Sequence, residues 1–356
     1  MPTKMKAWRI DSHGDSEVLK RVELDRPKPG PLEVLVNVKT LGLNHLDVWV
    51  RKGVPGHKFP LPLIPGCDAA GTIDEFGAGS EERLKSSGLV LGSPVLINPG
   101  ISCGRCEACL GGFDPLCPEY GILGETRDGG AADFISVPVQ NLVSIPKNVS
   151  LEEAAALPIP YLTAWNMVFR KTKVLPGEIV LIQAGGSGVS MAATQICKMI
   201  GATVITTVGD PEKAKKSKAL GADHVILYKD APFRDSLKNI LKPLGKKGVD
   251  VVIDHVGSET FSESIKSLAW GGRLACCGAT SGSEVKIDLK VLFFKNLALH
   301  GATMGSKSDL HTIIQLVSEG KLKPSIQEVL PMSDLPQGLK ALENRSVFGK
   351  IVLQNS

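Results

Sequence analysis

The chain is predicted to be an α/β protein of two domains, one β-rich and one built on a doubly wound parallel sheet. Three observations lead there. Residues 5 to about 98 are short β-like runs cut by Gly and Pro, the spacing of a compact, distorted barrel. From about residue 160 strands and helices alternate, and parallel neighbours need such crossovers. Between them lies a segment dense in cysteine. A length of 356 residues with 43% hydrophobic content is enough for two cores.

In the first domain Glu33–Lys39 alternates apolar and polar residues, as does Gly71–Phe76, and Ser93–Ile97 follows. After the cysteines, Gly129–Val137 and Asn141–Ile145 read as two more strands of the same barrel. A helix is expected from Ser150, because Ser150-Leu-Glu-Glu153 has the capping-box form. The second domain is expected to hold strands Ile179–Gln183, Ala202–Thr207, His224–Leu227, Val249–Asp254, Arg273–Cys277 and Leu297–Gly301, with helices near 233–244 and 259–269. A helix near 308–319 and a strand Lys350–Leu353 should return to the first domain. The expected division is 1–155 with 306–356 against 156–305, with the cysteine lobe at 99–120.

That lobe has the spacing C-x2-C-x2-C-x7-C at Cys103, Cys106, Cys109 and Cys117, in a stretch too rich in Gly and Pro for a long helix or strand. Four soft ligands in a short loop suit a tetrahedral Zn2+, and four protein ligands leave no position for substrate, so one structural zinc is expected. A disulfide pair, or four unrelated thiols, are the alternatives. The other cysteines (Cys67, Cys197, Cys276, Cys277) lack framework spacing and fit reduced thiols in a reducing compartment.

Strand Ile179–Gln183 runs into Ala184-Gly185-Gly186-Ser187-Gly188-Val189-Ser190 and an Ala-rich helix. A strand, a Gly turn and a helix N-terminus are the context a dinucleotide pyrophosphate requires, although the match to G-x-G-x-x-G is imperfect. Gly185, Gly188 and Val189 are assigned to that turn. At the end of the second strand, Val208 occupies the place where an acidic residue would receive the ribose 2′-hydroxyl of NAD. Thr207 and Lys213 can bind a 2′-phosphate, so NADPH is expected over NADH, with Asp210 the residue through which NADH would be accommodated.

A net charge of +4, with scattered Lys and Arg, excludes a nucleic-acid face. The start has no apolar leader and no stretch is long enough to span a membrane, so a cytoplasmic protein is expected.

Taken together, the chain resembles the medium-chain dehydrogenase/reductase superfamily of zinc alcohol dehydrogenases and quinone oxidoreductases. Besides the lobe and the Gly turn, Gly66-Cys-Asp-Ala-Ala-Gly71 is similar to G-H-E-x-x-G, and Leu162–Trp165 and Phe348–Leu353 resemble the nicotinamide-side helix and terminal strand. The resemblance implies a GroES-like catalytic domain, a Rossmann cofactor domain, and a homodimer or homotetramer formed through the cofactor sheet's edge. It also exposes a departure. The three catalytic-zinc positions fall on Asn44, Cys67 and Ile159, two of which cannot bind zinc usefully. Cys67, Asp68, Asp47 and His45 could build a different metal site, with packing and local turn bonds the better account.

Gly42-Leu-Asn-His-Leu-Asp47 is similar to the G-x-N-x-x-D of zinc-free quinone and enone reductases. The resemblance therefore implies NADPH-dependent hydride transfer to an activated double bond of an enone, enoyl or quinone substrate. The alternatives are a zinc-dependent alcohol or aldehyde dehydrogenase with an unorthodox metal site, and an NADPH-binding protein without turnover. Asn44 is expected to donate a hydrogen bond to the substrate oxygen and Thr163 to seat the nicotinamide. His45, Tyr161 or water would supply the proton, and Lys350 would contact cofactor or substrate. By the same resemblance Val256, Gly257, Gly278 and Ala279 line the cofactor at strand ends, and Ala302, Thr303 and Met304 meet its carboxamide.

Overall fold

The computed structural model describes residues 3–355. The chain divides into two compact units, one running to Ile159 and resuming at Gly305, the other Pro160–Met304.

The first unit is built on a seven-stranded sheet centred on Glu33–Gly42. Asp68–Phe76 pairs antiparallel with that strand, as do Phe134–Pro138 and Lys350–Gln354. Because it is crossed on both edges, Val34, Leu35 and Val36 are all fully buried, where the alternating pattern predicts one solvated face. Lys350–Gln354 is flanked on its other side by Ile326–Pro331, so it is an interior strand. The strand expected from Gly129 begins only at Phe134. Gly129 instead lies against the backbone of Gly66, where a Cβ would come within 2.2 Å of the Gly66 carbonyl oxygen.

The second unit is a six-stranded parallel sheet in the order His224–Leu227, Thr203–Val208, Ile179–Ile182, Val249–Asp254, Leu268–Cys276, Ala298–Gly301. This is the doubly wound order that reverses direction beside the first strand. Ile179–Ile182 is buried along its whole length, as a strand covered by helices on both faces must be. The helix after it, Gly188–Ile200, is capped by Ser187 and ends on Gly201 in the left-handed region (φ 89°). No helix among the described residues is long and apolar enough to cross a membrane.

Candidate functional site

In the first unit the end of the central strand, the start of helix His45–Lys52, the start of strand Asp68–Phe76 and the start of strand Lys350–Gln354 meet in one buried polar cluster. Lys350 Nζ donates to the Leu43 carbonyl (2.8 Å), to Asn44 Oδ1 (2.8 Å) and to Asp68 Oδ2 (3.2 Å). All three ammonium protons thus have acceptors. Asn44 Nδ2 donates to Asp68 Oδ2 (2.9 Å) and to the Gly42 carbonyl (3.2 Å), while the Asn44 N–H donates to Asp47 Oδ2 (2.8 Å). Asp68 Oδ1 accepts from the Ile159 N–H (3.0 Å).

Hydrogen-bond accounting shows how Asn44 and Lys350 are engaged within this unit. Both amide protons of Asn44 have acceptors here, Asp68 Oδ2 and the Gly42 carbonyl. Lys350, expected against cofactor or substrate, is buried with every proton bonded inside its own unit.

Burial shapes the charges of the cluster. It pushes Asp47 up to about 6, and pushes Asp68 up as well, although the Lys350 ammonium opposes the second shift. Burial, then the Asp47 and Asp68 carboxylates, push the Cys67 thiol well above its ordinary value; its Sγ lies 3.7 Å from Asp47 Oδ1. His45, first residue of its helix, is held below the usual histidine value by burial and by the charge of Arg345.

In the second unit Ala184 (φ 52°) turns the chain at the carboxyl end of the central strand, and Gly188 and Val189 open the helix. At Gly185 a Cβ would meet Thr206 Oγ1 at 2.4 Å, so only glycine fits. Ser187 Oγ accepts from the Ser190 N–H, and both serine hydroxyls lie 2.8 Å from His255 Nε2. Ser187 and Ser190 stand at the second and third positions of the G-x-G-x-x-G pattern, whereas His255 was not singled out by the sequence; its one local sign is a histidine directly after the strand Val249–Asp254.

Thr207 lies beneath the Gly turn. Its hydroxyl donates to Gln183 Oε1 (2.7 Å) and accepts from the Ala184 N–H (3.0 Å), buried beneath the turn. It shapes the turn and has no proton left for a phosphate. Asp210 Oδ1 caps helix Pro211–Ala219 by accepting from the Lys213 N–H (2.8 Å).

Tyr161 is buried in the second unit. Its hydroxyl accepts from Gln195 Nε2 (3.1 Å) in the core, and burial drives its pKa upward, away from a proton donor's range. Thr163 is buried in helix Pro158–Trp165. Val256 and Gly257 donate their N–H groups to Asp254 Oδ1, while Gly278 and Ala279 follow strand Leu268–Cys276. Ala302, Thr303 and Met304 follow the last strand, where Asn166 Nδ2 donates to the Met304 carbonyl (2.7 Å).

The four lobe cysteines converge. Their sulfurs lie within 4.8 Å of one another, with Cys106 to Cys109 at 3.5 Å and Cys103 to Cys109 at 3.9 Å. All are free thiols, which removes the disulfide alternative. A tetrahedral zinc with bonds of about 2.3 Å separates its sulfurs by about 3.8 Å, so the donor set fits that ion. Backbone N–H groups of Arg105 and Cys106 hold the Cys103 thiol below its ordinary value, and those of Cys103 and Glu119 point at Cys117 Sγ. Among the described residues this is the only group of three or more His, Cys, Asp or Glu side chains arranged to hold a metal.

The pattern of the alcohol dehydrogenase GroES-like domain matches residues 30–147, and that of the zinc-binding dehydrogenases matches residues 188–319. An acryloyl-coenzyme A reductase of Sulfurisphaera tokodaii is 31% identical over 96% of this chain and 98% of its own length. The chain belongs to the medium-chain dehydrogenase/reductase superfamily. Like its relatives in that superfamily, it is an NAD(P)H-dependent oxidoreductase with a GroES-like domain and a Rossmann domain.

Among solved superfamily structures, an NAD-dependent alcohol dehydrogenase has a TM-score of 0.91 at 49% identity, covering 98% of this chain and 99% of that one. A cobalt- and zinc-bound thermostable alcohol dehydrogenase from Pyrobaculum aerophilum has a TM-score of 0.87 at 34% identity, with 99% of each chain covered. Alcohol dehydrogenases from several organisms, among them Geobacillus stearothermophilus at 32% identity over 93% of this chain and 95% of that one, are also similar to it.

The superfamily's catalytic zinc does not fit this chain. Where its ligands would stand are an amide already bonded on every side, a thiol held protonated, and the backbone N–H of Ile159. The Lys350 ammonium already neutralises Asp68 and would repel a second cation. In this structure Asp47 and Asp68 are bonded within the polar cluster around Asn44 and Lys350.

Proposed function

We propose that the chain reduces an activated double bond of an enone, enoyl or quinone substrate, using NADPH in preference to NADH, with no metal at the reacting centre. The observation that supports this is the Lys350 ammonium bonded to Asn44 and Asp68 where a metal and its ligands would otherwise stand. A Lewis acid matters most where an alkoxide develops, whereas a conjugated acceptor delocalises the charge itself. When bound, the dinucleotide supplies the hydride.

The residues divide the remaining work. Gly188 and Val189 receive the pyrophosphate on helix N–H groups, Gly185 keeps the turn free of a Cβ, and Thr163 seats the nicotinamide. Val256, Gly257, Gly278 and Ala279 border the dinucleotide, while Ala302, Thr303 and Met304 receive the carboxamide. Lys213 binds the 2′-phosphate; Val208 brings no carboxylate to repel it, and Asp210 is engaged as a cap. Lys350 acts on developing negative charge through its fixed field, with Asn44 orienting it. The final proton comes from water, because the His45 ring is held neutral. One zinc on Cys103, Cys106, Cys109 and Cys117 is structural. Trp270, on strand Leu268–Cys276, and Phe293 and Phe294, on the helix that precedes the edge strand Ala298–Gly301, are exposed, which supports a homodimer formed at that side of the cofactor domain.

A second reading, alcohol or aldehyde oxidoreduction, is the one that the relatives' names favour over the first, and the 49% identical structure adds NAD to it. A panel of enones, enoyl thioesters, quinones, aldehydes and alcohols, assayed with both cofactors and accompanied by a zinc count, separates the two. Turnover of conjugated acceptors with about one zinc per chain supports the first reading. Turnover confined to alcohols and aldehydes with two zincs, lost on chelation, establishes the second.

A further inference from the structure

We propose that His255 is a positioning residue for the dinucleotide, fixing the Ser187 hydroxyl as a hydrogen-bond donor to the pyrophosphate. This rests on the assignment of the Gly turn to a dinucleotide above. It adds a residue outside the turn, and a direction for each proton.

The directions follow from counting. Ser190 Oγ lies 2.6 Å from the Gln183 carbonyl oxygen, which can only accept, so the single hydroxyl proton of Ser190 goes there. Ser190 Oγ must then meet His255 Nε2, 2.8 Å away, as an acceptor, and Nε2 must carry a hydrogen. That hydrogen is shared with Ser187 Oγ, also at 2.8 Å. Ser187 Oγ already accepts from the Ser190 N–H at 3.2 Å, so its lone pairs are engaged from two sides.

What remains to Ser187 is its own proton. Within the protein its acceptor is Ser190 Oγ at 3.1 Å, long for an O–H···O bond. A phosphate oxygen at the N-terminus of helix Gly188–Ile200 offers a shorter, charge-assisted bond, and the proton turns outward to it. Without the imidazole, Ser187 regains a lone pair and an alternative rotamer, and is no longer ordered as a donor. The bond goes to the pyrophosphate, common to NADPH and NADH, so the effect is the same for both.

The test measures dissociation constants for NADPH and NADH, by fluorescence titration of the full-length chain, in wild type, Ser187→Ala, His255→Leu, His255→Gln and the Ser187→Ala/His255→Leu double variant. One charge-assisted hydrogen bond corresponds to roughly a tenfold loss of affinity or more. Ser187→Ala and His255→Leu should each weaken both nucleotides by about that factor. His255→Gln, which keeps an N–H donor, should recover most of the loss. The double variant should bind no worse than Ser187→Ala, because both changes remove the same bond. Unchanged affinity in His255→Leu, additive losses in the double variant, or an effect on one nucleotide alone overturns the proposal. If His255→Leu does not fold, 15N-histidine NMR of the wild type decides: a hydrogen on His255 Nε2 sustains it, and a bare Nε2 overturns it. Wild-type protein that binds neither nucleotide overturns the cofactor assignment itself, a result distinct from any variant's failure.

Discussion

Lys350 Nζ and Asp68 Oδ2 form an ion pair 3.2 Å apart, with side chains 6% and 0% exposed. A charge sealed this well depends on its partner. Lys350→Met leaves the Asp68 carboxylate buried and unpaired, which should destabilise the first unit by about 3–5 kcal/mol. Adding Asp68→Asn removes the orphaned charge and should recover much of that loss. Urea unfolding of the wild type, the single variants and the double variant checks this, and a Lys350→Met chain as stable as wild type would show the pair to be solvated.

Asp47 gives the cluster a pH dependence of opposite sign to that of most carboxylates. Burial raises it from 3.8 to about 6, so between those values the folded chain keeps a proton that the unfolded chain has released. Its contribution to stability is therefore full below the unfolded value and is lost as pH rises through that window. The difference amounts to about 3 kcal/mol. Asp47→Asn cannot titrate but keeps an acceptor for the Asn44 N–H. Its stability relative to wild type should rise by about that amount between roughly pH 4 and pH 7. Parallel stability curves for the two proteins would place the titration elsewhere.

In the cysteine lobe, Cys106→Ser should release the zinc and lower the melting temperature, since metal affinity and folding of such a loop are coupled. The fraction that remains folded should keep its kcat. Metal analysis beside thermal denaturation and steady-state kinetics reads all three quantities. A fully folded, zinc-free variant without turnover would move the lobe's ion into the chemistry.

For the nucleotide, Lys213→Ala should raise the KM for NADPH by about tenfold while leaving that for NADH almost unchanged, as expected for one phosphate contact. Equal effects on the two would remove Lys213 from the 2′-phosphate, and a protein that already prefers NADH would remove the phosphate itself.

What the sequence made legible is what depends on near neighbours. Four cysteines must stand close in the chain to hold one ion from a short loop, and a strand, a glycine turn and a helix are consecutive by construction; both patterns were readable. The strand Ile326–Pro331 was not, because only Leu330 is buried along it and no alternation shows. The hairpin Lys4–Ile10 and Leu19–Asp25 was hidden by its charged outer face. The bonds that engage Asn44 and Thr207 were hidden for a related reason. A side chain's residue type says what it can donate, while what it has already donated depends on partners such as Lys350 and Gln183. Only the folded chain brings these together.

One consequence concerns the order in which the protein is made. Asn44 and Lys350 are 306 residues apart, with the entire Rossmann unit synthesised between them. The barrel's central strand and the Asp68 carboxylate leave the ribosome long before the strand that closes and neutralises them. Until then this domain carries an open sheet edge and an uncompensated buried acid, a state in which aggregation competes with folding. Removing the few residues of Lys350–Gln354 by a protease would return a finished molecule to that same unfinished state.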